Sequence, residues 1–493
     1  MEFKPTIGLE VHAELKTKTK MFCGCLNNPE EKIANTNICP VCLAHPGTLP
    51  VINKKALEQV IIVGLSLNSE IPEYSKFDRK NYFYPDLPKG YQISQYDMPL
   101  CKGGELSLFL SNDLEESKRN IKITRVHLEE DTGKLIHSAD GKSTLIDFNR
   151  AGVPLMELVT EPVMHSGKEA RLFAQGLQLL FRTLGISEAD MERGQMRCEV
   201  NISLSKDEEL GTKVEIKNLN SFRAVEKSID FEIQRQKEIL EKGEKVIQET
   251  RGWDAGKEIT YSQRLKEEAQ DYRYFPEPDL PRLHIYSEGK SDGLFNLEEL
   301  KKQIPELPWK KKERIMKLCA SLGDANLLIQ DERLMNFFEE VIKEFNDIDV
   351  KNKEKIINLS FNYLASDLKG LMESKLVVWE KLKITPQSFS QLILLLFEDK
   401  ISSRAGKDVL AEMVEKGGEP EEIIKSKGLE KISDEGKLEP IILEIIKNNP
   451  KTIEDYKKGK ENALQFLVGQ AMAKTRGAAD PKSLEKLFKE QLS

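Results

Sequence analysis

Ile7-Gly8-Leu9-Glu10-Val11-His12-Ala13-Glu14-Leu15 alternates without a break: the odd positions are apolar, and Gly8, Glu10, His12 and Glu14 share the other side. Successive side chains of a strand point to opposite faces of the sheet, so the stretch reads as a half-buried strand with acids and an imidazole on its outer face. Two later stretches repeat the pattern. Over 197–204, Cys198, Val200, Ile202 and Leu204 oppose Glu199, Asn201 and Ser203; over 212–218, Val214 and Ile216 oppose Lys213, Glu215 and Lys217. An ordinary antiparallel sheet with one solvated face has the same alternation. These strands differ in carrying carboxylates, an amide and a histidine where lysines and threonines are usual. Such a set, with lysines beside it, can hold a metal ion and a phosphate.

Length and charge set the frame around those strands. At 493 residues the chain exceeds the roughly 250–300 at which single cores stop growing, so several domains are expected. Lys and Arg number 74 against 82 Asp and Glu, a formal net charge of -8. That balance argues against a non-specific nucleic-acid binder and leaves room for a local basic patch that meets RNA. No apolar run approaches the roughly 20 residues that span a bilayer. The opening MEFKPTIGLEVHAEL enters a strand pattern with no apolar signal-peptide core. The expectation is a cytoplasmic protein without a membrane partner.

Four of the seven cysteines fit that compartment: Cys23-Gly24-Cys25, then Cys39-Pro40-Val41-Cys42. C-x-C followed by C-x-x-C lets two short knuckles offer four thiolates to one tetrahedral ion, and Zn²⁺ is the usual occupant. Four thiolates leave no open position for substrate, so such a zinc, at a knuckle spanning 23–42, is structural. Disulfides are the alternative, disfavoured in a reducing cytosol. Cys101, Cys198 and Cys319 are isolated and read as buried packing residues.

Residues 1–293 read as an α+β domain with a largely antiparallel sheet. Helices are expected from Asn53 to Leu67, from Gly167 to Leu184 and from Arg223 to Gly243, the last on the spacing of Val225, Ile229, Ile233 and Ile239. The chain changes character near Pro276-Glu277-Pro278-Asp279-Leu280-Pro281. Beyond it the sequence is rich in Leu, Ile, Lys and Glu, with helices punctuated by Pro305, Pro308, Pro386, Gly417-Gly418 and Pro420. An all-α domain over 294–400 and a helical tail over 401–493 are expected. Residues 451–493 hold nine Lys/Arg against six Asp/Glu, and the run from Phe466 ends in Lys474 and Arg476. Basic residues there suit either the negative end of a helix dipole or an RNA backbone.

His127-Leu128-Glu129-Glu130-Asp131-Thr132-Gly133 sets three acids behind a histidine. Phe77-Asp78-Arg79-Lys80-Asn81-Tyr82-Phe83-Tyr84-Pro85-Asp86 and Asp271-Tyr272-Arg273-Tyr274-Phe275-Pro276 mix aromatics with bases, as a wall around a nucleotide or an RNA end would. No Walker loop, dinucleotide glycine pattern, H-E-x-x-H, nucleophile elbow or kinase signature is present. ATP, if used, would sit on a sheet with metal and basic side chains, by analogy with glutamine synthetase.

The segments IGLEVHAEL, FDRKNYFYPDLPKGYQISQYD, HLEEDTGKLIH, NRAGVPLMELVTEP, RCEVNISL, EIKNLNSFRAVEKSIDFEIQRQ and DYRYFPEPDLP together resemble the B subunit of the aspartyl/glutamyl-tRNA amidotransferases. The run from KNKEKIINLSFNYL to LEKLFKEQL is similar to that family's helical domain and YqeY-like, tRNA-binding tail. The resemblance implies a glutamine synthetase-like cradle domain and a heterotrimer. In it an amidase (glutaminase) partner releases ammonia from glutamine and a small third protein braces the assembly. The chain of the present kind uses ATP to phosphorylate the side-chain carboxylate of Glu-tRNA(Gln) or Asp-tRNA(Asn). Which misacylated tRNA is used is left open.

The resemblance also implies roles. Glu10 and His12 match the family's metal-binding strand, one or both of Glu129 and Glu130 match its acidic motif, and Glu199 and Glu215 match further acids. A subset of these is expected to ligate Mg²⁺, with Glu10, His12, Glu130 and Glu215 catalytic. His12, a less natural magnesium ligand, could instead orient a carboxylate or a water. Arg79, Lys80, Lys89, Asn201, Lys217 and Arg273 are expected to contact nucleotide or phosphate or to line the ammonia path, and Lys474 and Arg476 to contact tRNA. Some members lack the four cysteines, so the zinc knuckle would only pin the loop between the first strand and the first helix. Two other readings are weighed against this one: a self-contained ATP-dependent ligase of a small carboxylic acid, which a tRNA-binding tail disfavours, and a non-catalytic tRNA scaffold, whose clustered carboxylates would repel RNA.

Overall fold

The computed structural model describes residues 3–492 apart from 114–116, 139, 208, 266–270, 289–291, 319–320, 347, 432–434, 458 and 476–478. The chain forms two compact units, Met1–Glu313 and Arg314–Ser493.

The first unit is α/β with mostly antiparallel sheets. Its strands are β1 (Lys4–Glu14), β2 (Tyr74–Ser75), β3 (Asp78–Asn81), β4 (Tyr91–Ser94), β5 (Cys101–Lys102), β6 (Glu105–Phe109), β7 (Lys118–Glu130), β8 (Lys134–His137), β9 (Thr144–Asp147), β10 (Pro154–Thr160), β11 (Met196–Ser205), β12 (Val214–Leu219), β13 (Glu249–Asp254), β14 (Ile259–Leu265), β15 (Phe275–Pro276) and β16 (Leu283–His284). Nine of them make one sheet in the order β14-β13-β12-β11-β1-β10-β7-β5, with β6 also on β7. Among the described residues, the β12–β13 pair alone is parallel. β1 lies at the centre, antiparallel to β10 on one side and β11 on the other.

The alternation of β1 is realised as read. Ile7, Leu9, Val11 and Ala13 are at most 1% exposed, while Glu10, His12 and Glu14 are half-buried on the other face. The apolar side packs into a core with α1 (Lys54–Ser66), α2 (Gly167–Thr183) and α3 (Phe222–Glu241). Each helix opens on a side-chain cap: Asn53 accepts from the Lys55 and Ala56 amides, Ser166 from Glu169, and Ser221 from Ala224. Helices α2 and α3 cross at a glycine, because a Cβ on Gly167 would stand 2.6 Å from the Glu226 carbonyl oxygen.

The first unit runs past residue 293, because Leu300 and Leu307 bury into its core. The Pro276–Pro281 run is also anchored: β15 pairs with β3, and Glu277 is 3% exposed. In the second unit every named element is a helix. Its last helices bury Leu438, Ile442, Leu467, Leu484 and Phe488 in a cluster of their own. Lys431 pairs with both Asp399 and Asp480, on either side of residue 400. Among the described residues no helix is long and apolar enough to cross a membrane.

Candidate metal centre on the polar sheet face

Strand register sets His127, Glu157, His12 and Arg197 in one row across β7, β10, β1 and β11. Glu157 is the middle of that row: one of its oxygens lies 3.2 Å from His12 Nε2 and 3.3 Å from His127 Nε2. Glu129, one step along β7, lies 3.8 Å from each histidine and accepts a hydrogen bond from Ser94 Oγ at 2.9 Å. Donor atoms of His12, Glu129 and Glu157 all fall within 4.8 Å of one another, close enough to share one ion.

Burial alone would lower the His12 pKa, but Glu157 and then Glu129 outweigh it and raise it to about 9. Burial likewise opposes the charged forms of Glu157 and Glu129, yet the histidines hold both carboxyls below the usual range. In this row the histidines' protons stand where a cation could replace them.

A second set adjoins the first. Glu10 faces Glu199 across the β1–β11 pair, and Asn201 Nδ2 donates to Glu10 Oε1 at 2.9 Å. Burial, then the like charges of Glu157 and Glu199, push the Glu10 carboxyl above its ordinary value. Lys217 Nζ reaches Glu199 at 2.9 Å and Glu215 at 3.5 Å, and Thr250 Oγ1 donates to Glu215 at 2.8 Å. Two buried atoms of this face, His127 Nδ1 and Asn201 Oδ1, have no hydrogen-bond partner among the described residues. Lys80 is held in its charged form against burial by Glu129 and Glu157, and its Nζ lies 5.0 Å over the Tyr272 ring. Beside it, burial raises the Tyr274 hydroxyl to about 12. Further along, Glu14 is raised to about 8 by burial and Asp131, while Arg197 pairs with Asp131 at 2.8 Å.

The structure thus brings Glu10, His12, Glu129, Glu199, Glu215, Asn201, Lys217 and Lys80 around one face. It sets others apart. Glu130 points to the opposite side of β7, where Lys89 binds it at 2.7 Å and the Ile93 amide donates to it. Arg79 grips Glu277 through two hydrogen bonds of 2.8 Å and lies over Tyr91. Arg273 is exposed at φ +47°. In the tail, Lys474 pairs with Glu444, and Arg476 lies outside the described residues.

The clustered carboxylate oxygens suit Mg²⁺, which accepts few protein ligands and keeps waters, and the largely buried His12 imidazole is the less natural donor among them. The four knuckle sulfurs form a separate group within 4.8 Å, and Cys39 and Cys42 Sγ stand 3.9 Å apart. A tetrahedron with Zn–S of about 2.3 Å needs roughly 3.8 Å between sulfurs, so the donors present fit zinc. Cys42 also borders a cavity of about 280 Å³ shared with Lys89, Tyr91 and Glu130. Cys101 and Cys198 are buried, as expected of packing residues, and Cys319 lies outside the described residues.

Against known proteins, residues 5–290 match the GatB/GatE catalytic domain and residues 328–492 the GatB domain. Over its whole length the chain is 45% identical to the B subunit of the aspartyl/glutamyl-tRNA(Asn/Gln) amidotransferase of Persephonella marina, covering 100% of that protein. The corresponding proteins of Rippkaea orientalis and Thermotoga maritima are each 44% identical over 100% of this chain and 98% and 99% of their own. The chain belongs to this GatB family.

Two residues of the centre escaped the sequence reading: Glu157 and, as a site residue, His127. The signal for Glu157 was present, since it is the only charge between Pro154 and Thr160. A lone carboxylate in an otherwise apolar strand must find a partner on burial.

Proposed function

We propose that this chain is the carboxylate-activating member of a glutamine-dependent tRNA amidotransferase. The observation that carries the reading is the His12–Glu129–Glu157 cluster, with Glu10 and Glu199 beside it, on the polar face of a buried sheet. A carboxylate is a poor electrophile because oxide would have to leave. In the proposed reaction the side-chain carboxylate oxygen of Glu-tRNA(Gln) or Asp-tRNA(Asn) attacks the γ-phosphorus of ATP and ADP departs. Ammonia then attacks the acyl carbon, phosphate leaves with the bonding pair, and a proton is released as the amide forms.

His12, Glu129 and Glu157 would hold Mg²⁺, and Glu10 and Glu199 lie beside them on the same face. Bound there, Mg²⁺ would neutralise phosphate charge. Lys80 and Lys217 add positive charge on the same face, and Asn201 orients Glu10. The Lys89–Glu130 pair on the far side of β7 suits a polar passage for ammonia better than phosphate contact, because its charges are already satisfied. A separate amidase (glutaminase) would supply that ammonia, and a small third protein would support the heterotrimer. The finer fold assignment, a glutamine synthetase-like cradle followed by a helical domain and a YqeY-like tRNA-binding tail, belongs to the same proposal, as does a cytoplasmic location.

The test is transamidation by the co-expressed complex with ATP, Mg²⁺, glutamine and each misacylated tRNA. Glu10→Ala and Glu215→Ala should abolish ATP-dependent amide formation and leave basal glutaminase in the partner. Normal transamidation by both variants would refute the assignment.

A further inference from the structure

Lys20 follows β1 and is 0% exposed, a rare state for a lysine. Its backbone amide closes the knuckle by donating to the Cys25 carbonyl at 2.9 Å. Its ammonium lies 3.2 Å from the Phe148 carbonyl oxygen and 3.9 Å from Cys42 Sγ. Among the described residues no carboxylate lies within ion-pairing distance of it. Folding tolerates a fully buried cation only where a counter-charge stands against it.

Among the described residues, the source of negative charge at its tip is the cysteine cluster. Four thiolates around a divalent ion carry a net charge of minus two, itself costly to bury. Cys42 also accepts the Cys39 amide at 3.1 Å, so its sulfur is the one that receives both a backbone N–H and a cation. We propose that Lys20 is the built-in counter-ion of the tetrathiolate site, halving its net charge and thereby raising its hold on zinc. The residue does not ligate the metal. It acts through Cys42, as outer-shell groups do when they tune a metal ligand.

The pairing also explains why neither half is buried without the other. Zinc-bound thiolates justify the lysine, and the lysine makes the thiolates tolerable in a half-buried setting. Removing the metal should therefore reduce what Lys20 contributes to stability.

That dependence on the metal is the test. Lys20→Met keeps the stem and removes the charge. In the full-length chain with its partner proteins, zinc release to a chromogenic chelator should be about 10- to 100-fold easier for Lys20→Met than for the native protein, the usual cost of losing an outer-shell partner. In chelator-stripped, reduced protein the same substitution should lower Tm by less than it does in the zinc-loaded protein. Unchanged zinc retention would overturn the proposal, and so would an equal loss of Tm with and without zinc, which would mark Lys20 as packing alone. Lys20→Arg supplies the second variant: it should retain zinc far better than Lys20→Met, and equal loss in the two would show that charge is not the property used.

Discussion

Glu157 shows how one residue can decide what a sheet face does. Placed between two imidazoles, it holds His12 protonated when no metal is bound and would give up that contact to a cation. Glu157→Gln keeps the shape and removes the charge. ATP-dependent activation and Mn²⁺ affinity should both fall by at least about 100-fold, beyond the 10- to 100-fold typical of outer-shell changes. Circular dichroism should report an intact fold, and native Mn²⁺ titrations would remove Glu157 from the centre. Lys312 illustrates the opposite case, a charge with no counter-charge beside it among the described residues. Its Nζ lies 6.0 Å from the Phe109 ring, and burial alone lowers its pKa from 10.5 to about 8. Because the folded pKa lies below the unfolded one, the unfolded chain binds more protons between those values. The penalty is therefore full below pH 8 and fades as pH rises toward 10.5. Lys312→Met should stabilise the protein by about 1–3 kcal/mol at pH 7 and by clearly less at pH 10, at roughly 1.4 kcal/mol per pKa unit. Urea midpoints at the two pH values would check the sign.

At the scale of elements, legibility follows from how a strand is buried. β1 and β11 are covered on one face only, so alternation betrays them and sorts their acids to the open side. β10 is buried on both faces, its residues 154–158 all apolar except Glu157, and it carries no alternation from which a functional side could be read. Glu129 and Glu130 are neighbours in sequence, and only the pairing of Leu155 with Glu129 and of Pro154 with Glu130 sends one to the centre and the other away. The Pro276–Pro281 run looks like the end of a domain, yet Arg79 and Glu277 clamp it to β3 through a pairing nearly two hundred residues apart. Such non-local choices are invisible to local pattern. The knuckle was legible because four ligands of one type at short spacing need no tertiary information. Its prediction belongs here. Purified protein should carry about one zinc per chain. Cys39→Ser, which removes one sulfur, should lower zinc content and Tm while leaving kcat for transamidation near native at permissive temperature. A matching loss of kcat there would give the knuckle a part in the chemistry.

For the whole molecule, the position of a cut matters. Sequence composition suggests a division near 400, but helix Pro386–Phe397 packs against helices Ser403–Lys416 and Pro420–Lys427, burying Phe389, Leu392 and Ile393. A chain ending at 400 would leave that apolar surface open and should aggregate. A chain ending at 313 keeps Leu300 and Leu307, and with them the complete first core, so it should fold by itself. If the second unit serves to grip tRNA away from the reacting carboxylate, its contacts stabilise ground and transition states alike. The truncated enzyme should then show a higher KM for aminoacyl-tRNA with kcat changed little. Its binding should also depend less steeply on salt, because lost phosphate contacts no longer release counterions. Within the full chain, neutralising Lys474 should do little, since Glu444 already pairs with it. Steady-state kinetics of the 1–313 chain with its partners, run at two salt concentrations, separates these terms. A collapse of kcat at unchanged KM would mean that the second unit shapes the reacting site itself, and the tail would have to be read as catalytic support.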